Sequence, residues 1–212
     1  PTLAVWDSVE DIDIDALPNQ FVLKSTHDSG GIVICKDKSS FDFEAAKAKL
    51  SASLKRDYSK IAREWPYQNV PRRIIAEEYI SELGNDDLLD YKMYSFHGDP
   101  KLTVVCSDRF SKSGTRMNFY DINWAPMGIH FGHYPPLPNE FSKPATYEEM
   151  KRLTAELSKE GPFLRVDFYE IKGRLFIGEL TFFPGAGLET FRPMSKDYEL
   201  GEWLHLETVH RS

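Results

Sequence analysis

The strongest constraint on the fold of this 212-residue chain is a charged hairpin near its end. The run Phe163-Leu164-Arg165-Val166-Asp167-Phe168-Tyr169-Glu170 leads through Ile171-Lys172-Gly173 into Arg174-Leu175-Phe176-Ile177-Gly178-Glu179-Leu180-Thr181. Side chains alternate along a strand, so Leu164, Val166 and Phe168 share one face and Arg165 and Asp167 the other. A three-residue loop ending in a left-handed Gly173 pairs Glu170 with Arg174. That register sets Arg165 opposite Glu179, with Asp167 diagonal to it and Thr181 further along the same face. Diagonal neighbours stand roughly 7–8 Å apart at Cα and closer at their tips. Two carboxylates so placed can share a divalent ion. A two-residue loop would instead put Asp167 and Glu179 on opposite faces. The plainer reading is a cross-strand ion pair between Arg165 and Glu179. The next segment, Phe182-Phe183-Pro184-Gly185-Ala186-Gly187, is too apolar for an ordinary exposed loop and reads as a wall beside a site floor.

Upstream, Gln20–Lys24 and Ile32–Cys35 read as strands around the loop Ser25-Thr26-His27-Asp28-Ser29-Gly30-Gly31. The opening stretch to Asn19 reads as irregular, with Asp11, Asp13 and Asp15 alternating as in a short edge segment. A helix follows, capped by Ser40 or Asp42, with Phe43, Ala46, Leu50 and Leu54 on one stripe. Helical character extends from Tyr58 to Trp65, and Pro66 stops it. Arg73–Ile80 reads as a strand that turns polar. Tyr91–Phe96 and Lys101–Cys106 form a hairpin about His97-Gly98-Asp99, and Trp124–Lys143 reads as a long surface loop. Thr146-Tyr147-Glu148-Glu149 is a capping box opening a helix with Met150, Leu153 and Leu157 on one face. Strands outnumber helices and hairpins dominate, so the fold class is α+β.

Composition removes several alternatives. A net charge of −7 argues against a general nucleic-acid binder, which needs a basic footprint. The arginines between Arg63 and Arg73, near Trp65 and Tyr67, do not change that. The apolar runs are strand-length, too short for a spanning helix. Cys35 and Cys106 cannot build a disulfide framework, and with no signal-peptide pattern a reducing, cytoplasmic compartment is expected. Because residue 1 is Pro, the native chain is expected to begin further upstream. The six histidines show no metal spacing: His130-x-x-His133 lies in a Pro/Gly loop without a Glu partner. Neither cysteine lies in a nucleophile motif.

Three further groups are candidates for chemistry. Backbone N–H groups around Ser29, Gly30 and Gly31 can cradle phosphate with Lys24 arriving from the preceding strand, although the segment is neither a P-loop nor a dinucleotide fingerprint. Glu77, Glu78, Tyr79 and Ile80 can offer backbone groups to an adenine edge and a carboxylate to a ribose, or form a solvated strand end. Asp90 and Lys92 face one side of a strand, where they can hold a ribose hydroxyl and a phosphate or pair with each other.

In this order the pieces resemble an ATP-grasp domain. More narrowly, Phe21-Val22-Leu23-Lys24, His27-Asp28-Ser29-Gly30-Gly31, Arg63-Glu64-Trp65-Pro66-Tyr67, Asp90-Tyr91-Lys92, Arg165-Val166-Asp167-Phe168-Tyr169 and Gly178-Glu179-Leu180-Thr181 resemble the TupA-like ATP-grasp family of bacterial polysaccharide and teichuronopeptide biosynthesis. The likeness runs from Pro1 to about Leu206. It implies two α+β lobes, at 1–80 and 81–212, holding ATP between them. The implied activity is a carboxylate–amine ligase: the γ-phosphate activates a small or glycan-linked carboxylate, and an amine attacks the acyl phosphate. Lys24, Ser29, Gly30 and Gly31 would hold phosphates, Glu77–Ile80 would meet the adenine, and Asp90 would suit the ribose. Asp167 and Glu179 would carry Mg²⁺ with Thr181, which stands where the general fold has Asn. Arg165, Lys92 and Arg109 would neutralise charge on phosphoryl and acyl oxygens. Family members carry a preceding segment that supplies another phosphate-binding lysine. A glycan-binding scaffold that kept the fold without turnover, and a sugar or carboxylate kinase, are the alternatives.

Overall fold

The computed structural model describes residues 1–80, 88–107, 114–131 and 140–206. The chain divides into two compact units, Pro1–Ile80 and Ser81–Ser212.

The first unit is a four-stranded antiparallel sheet covered by one helix. Its strands are β1 (Thr2–Trp6), β2 (Phe21–Ser25), β3 (Ile32–Cys35) and β4 (Ile74–Glu78), in the order β1-β4-β2-β3. Along β2, Phe21, Leu23 and Ser25 are buried while Val22 and Lys24 point to the other face. Helix α1 (Phe43–Lys55) starts where the Asp42 carboxylate accepts from the Ala45 N–H at 2.9 Å, which satisfies one orphan donor of the first turn. Ala46 and Leu50 are buried, and Phe43 and Leu54 pack beside them against Phe21, Leu23, Cys35 and Ile74.

Two expectations for this unit fail for the same physical reason. The helix does not run on to Pro66. It ends at Lys55, restarts as α2 (Tyr58–Ala62), and Pro66 lies inside a 3₁₀ turn at Trp65–Tyr67. Asp57 caps α2 by accepting from the Lys60 N–H, so the local side-chain bond outcompetes continuation of α1. Likewise Asp13 accepts from the Asp15 and Ala16 N–H groups at 3.1 and 3.2 Å, so Asp11–Asp15 forms turns and not an edge segment. The edge strand is β1, which pairs with β4.

The second unit holds β5 (Asp90–Phe96), β6 (Asp99–Ser107), β7 (Arg116–Asp121), β8 (His130–Phe131), α3 (Tyr147–Leu157), β9 (Phe163–Ile171), β10 (Arg174–Thr181), β11 (Phe191–Arg192) and α4 (Met194–Gly201). A five-stranded antiparallel sheet runs β10-β9-β5-β6-β7, beside a two-stranded ribbon of β11 and β8. On one face α3 packs Tyr147 and Met150 against Tyr91, Met93, Val105, Val166 and Phe168. The other face carries an apolar cluster of Leu102, Val104, Phe119, Phe131 and Leu200, and beyond it a polar region on β5, β9 and β10.

The capping box does not form. The Thr146 N–H and hydroxyl both donate to Glu170 Oε2, at 2.8 and 2.6 Å, so a long-range carboxylate has taken the capping hydroxyl. The buried face of α3 is Tyr147, Met150 and Thr154, while Leu157 is exposed. The Trp124–Lys143 stretch is not wholly surface loop. Trp124 stacks on Tyr120 at 4.4 Å between ring centroids, and Ile129 and Phe131 are buried. His133 lies outside the described residues.

Candidate active site

The polar face of the second unit is built by register. Lys92 on β5 pairs with Asp167 on β9, which pairs with Glu179 on β10; one step along, Tyr94 pairs with Arg165 and Arg165 with Thr181. Directly paired residues share a face, so these six side chains and Asp90 stand on one side of the sheet.

The hairpin reaches this arrangement by a different route from the expected one. Its turn has two residues, Lys172 and Gly173, both left-handed at φ 51° and 72°, and Ile171 pairs with Arg174. A regular two-residue hairpin would turn Glu179 away from Asp167. A β-bulge between Ile177 and Glu179 inserts Gly178 as an extra residue and returns Glu179 to the Asp167 face. Asp167 and Glu179 are therefore direct partners, not diagonal ones, and Arg165 lies opposite Thr181. Gly178 is required for space: a Cβ there would stand 2.6 Å from Tyr169 Cε2.

Charges in the row are tightly matched. The Arg165 guanidinium donates from Nε to Asp167 Oδ1 at 2.7 Å and from Nη2 to Oδ2 at 2.8 Å, and it reaches Glu179 Oε2 at 3.3 Å. The ion pair with Glu179 and the Asp167–Glu179 proximity thus coexist. Lys92 donates to Asp167 and forms an ion pair with Asp90 at 2.7 Å. The buried Asp90 carboxylate takes the pairing alternative, as inner counter-charge to Lys92. Burial alone would push the Lys92 ammonium down, but Asp167 and Asp90 outweigh it and raise its pKa. Arg165 follows the same balance, with Asp167 as the main opposing charge. Burial pushes the Tyr94 phenol up to about 12. The sequence reading missed Tyr94, although its period-two spacing from Asp90 and Lys92 marks it.

Beside the row is a pocket of about 130 Å³ bordered by Lys92, Tyr94, Arg165, Gly185 and Glu189. The expected wall supplies Gly185 from a 3₁₀ turn at Pro184–Gly187, while Phe182 and Phe183 are exposed. Glu189 carried no sequence signal. Arg109 lies outside the described residues.

The donor set fits magnesium carried with phosphates. Mg²⁺ is commonly held by one or two carboxylates plus substrate phosphates, all hard oxygens. Asp167 and Glu179 would be that pair. Thr181 adds a buried hydroxyl on the same face whose Oγ1 has no hydrogen-bond partner among the described residues. Among those residues no three His, Cys, Asp or Glu side chains gather as a self-sufficient metal site, so the ion would need the ligand's oxygens.

In the first unit Lys24 points outward from β2 and forms an ion pair with Glu77 on β4. The Ser29–Gly31 loop is anchored at its base: the buried Asp28 carboxylate accepts from Ser53 and Arg56, and Ser25 and Ser53 hydroxyls meet at 2.6 Å. A Cβ on Gly31 would stand 2.1 Å from Ser25 Oγ and 2.2 Å from Ser53 Oγ, so the loop closes only over glycine. Ser29 and Gly30 remain exposed at the tip, Gly30 at φ 94°. Glu78 ends β4 with its N–H on the Pro1 carbonyl at 3.2 Å, and Tyr79 and Ile80 follow outside the strand.

Comparison with known proteins agrees with the architecture. The TupA-like ATPgrasp family profile matches residues 1–205, and the chain belongs to that family. No curated protein sequence matches it. Among solved structures it is similar to the D-alanine–D-alanine ligase of Bacillus anthracis complexed with ATP, at 16% identity and a TM-score of 0.50, covering 94% of this chain and 54% of that one. A second structure of that ligase gives 16% identity and 0.47, covering 94% and 55%. The ATP-grasp ligase PsnB complexed with minimal precursor, Mg and ADP gives 10% and 0.42, covering 84% and 43%. The chain thus spans about half the length of these proteins, and the fold is an α+β ATP-grasp fold.

Proposed function

We propose that this protein is an ATP- and Mg²⁺-dependent carboxylate–amine ligase that forms an amide through an acyl phosphate, acting on a precursor of a bacterial cell-surface polysaccharide or teichuronopeptide in the cytoplasm. The observation that carries the reading is the row Lys92–Asp167–Glu179 with Arg165 and Thr181 beside it. Phosphoryl transfer to a carboxylate brings several negative oxygens together, and catalysis is mostly positioning and charge neutralisation. Lys92 and Arg165 are suited to that work because both hold their protons far above neutral pH. Asp167 and Glu179, with the Thr181 hydroxyl, would hold Mg²⁺, which when bound neutralises phosphate charge. In the first unit Lys24 and the exposed Ser29-Gly30 tip would bind phosphates, and the segment Glu77–Ile80 would meet the nucleoside. Among the described residues no helix is long and apolar enough to cross a membrane.

Calorimetry with ATP and Mg²⁺, followed by product analysis, tests this reading. Nucleotide binding that falls at least tenfold in Glu179→Gln, and phosphate release that depends on an added amine, support a ligase. A stable phosphorylated product without amine supports a kinase. A scaffold is the second reading with an observation behind it, since both Asp167 oxygens already hold cationic partners. Absence of binding at millimolar ATP would select it.

A further inference from the structure

A hollow of about 440 Å³ opens on the first unit beside α2 and the Trp65–Tyr67 turn, and none of its lining residues is among those assigned to ATP. Its size lies within the usual range of small-molecule sites, roughly 300–1,000 Å³. Its charges nearly cancel: Asp57 and Lys60 pair at 2.9 Å, leaving Arg63 as one net positive charge. Arg63 ends α2 in the left-handed region at φ 58°, ψ 26°, where glycine is the ordinary occupant. Its side chain makes no hydrogen bond or ion pair among the described residues, and the same holds for the side-chain amides of Gln68 and Asn69. An arginine held where glycine is easier, with its guanidinium open to the hollow, calls for a ligand.

The surrounding groups specify the chemistry. Trp65 is 64% exposed, and its turn is tied down at two points: the Gln68 N–H donates to the Trp65 carbonyl at 2.9 Å, and Tyr67 meets Tyr58 edge-to-face at 5.0 Å. A flat indole suits the C–H face of a pyranose ring. Paired amides offer donors and acceptors matched to neighbouring hydroxyls, and a guanidinium fork matches a carboxylate. A single net cation suits a monoanion better than a polyphosphate.

We propose that this hollow binds a carboxylate-bearing saccharide, with Trp65 under a sugar ring, Arg63 on the carboxylate, and Gln68 and Asn69 on hydroxyls. It uses none of the residues assigned to ATP and stands whether or not the ligase reading holds.

The methyl glycoside of galacturonic acid, a saccharide with one carboxylate, titrated into nucleotide-free protein and followed by tryptophan fluorescence and saturation-transfer NMR, tests it. Saturable binding is expected, and its methyl ester should bind at least about tenfold more weakly. Arg63→Gly suits the left-handed backbone there and Trp65→Phe keeps an aromatic ring while shrinking the 64% exposed platform, so both should fold as the parent does. Each should lose at least about tenfold in affinity. No saturation up to about 10 mM, equal affinity for the ester, or unaltered binding by Arg63→Gly overturns the proposal. Saccharide binding without ATP binding would sink the ligase reading alone.

Discussion

Replacing Asp167 by Asn should be among the most damaging single changes in the second unit, and its partner dependence is the sharper test. The Asp167 side chain is 3% exposed, and its cationic partners Lys92 and Arg165 are 14% and 13% exposed, so solvent screens this cluster little. Breaking a buried pair from one side costs about 3–5 kcal/mol, because the remaining charge stays buried. Asn keeps an acceptor oxygen, Lys92 keeps Asp90 and Arg165 keeps Glu179, which places Asp167→Asn near about 3 kcal/mol. Lys92→Met leaves Asp90 and Asp167 buried side by side and belongs near about 5 kcal/mol. The double variant loses their shared interaction once, so its cost should fall short of the sum by about 1–3 kcal/mol. Urea unfolding followed by Trp124 fluorescence, with Trp6, Trp65 and Trp203 changed to Phe, reads the second unit. Additivity within about 0.5 kcal/mol would refute the idea that these charges act as one cluster.

Other consequences concern space and protonation. Gly178→Ala should cost about 1–3 kcal/mol by forcing a methyl against the Tyr169 ring, with partial recovery when Tyr169→Ser is added; thermal melts of the two variants check this. Gly31→Ala should destabilise the first unit by a similar 1–3 kcal/mol or more, because the methyl meets the Ser25 and Ser53 hydroxyls, and hydrogen exchange of β2 amides should rise accordingly. On the alkaline side, Lys92 holds its proton above its ordinary 10.5 and Tyr94 up to about 12, while the unfolded chain releases both earlier. Their stabilising contribution is therefore complete below about pH 10 and fades as pH rises through the folded values. A Lys92→Met, Tyr94→Phe variant should show a flatter loss of stability above pH 10 than the parent.

What the sequence discloses here is what depends on local pattern. Period-two alternation places Arg165 with Asp167 and Asp90 with Lys92, and the apolar stripe of α1 follows from spacing alone. Pairing between distant strands is not local, so nothing in Asp90-Tyr91-Lys92 reveals that Lys92 lies opposite Asp167. The hairpin is instructive because two departures offset each other: the turn is one residue shorter than expected, and the Gly178 bulge restores the face. Gly178 was visible as a strand glycine, and a bulge is a common reason for one. Thr146 misled because its hydroxyl is claimed by Glu170, 24 residues away. Strand β1 escaped notice because Leu3 and Val5 are exposed on an edge, where alternation carries little contrast.

A ligase built this way needs Asp167 and Glu179 to act together on a metal–nucleotide complex. Crystals grown with a non-hydrolysable ATP analogue and Mn²⁺, examined for anomalous scattering, test it most directly. The expected result is one manganese peak within about 2.0–2.3 Å of oxygens from both carboxylates and from the analogue's phosphates. Manganese bound with the nucleotide elsewhere, while Arg165 and Lys92 still hold Asp167, would contradict it.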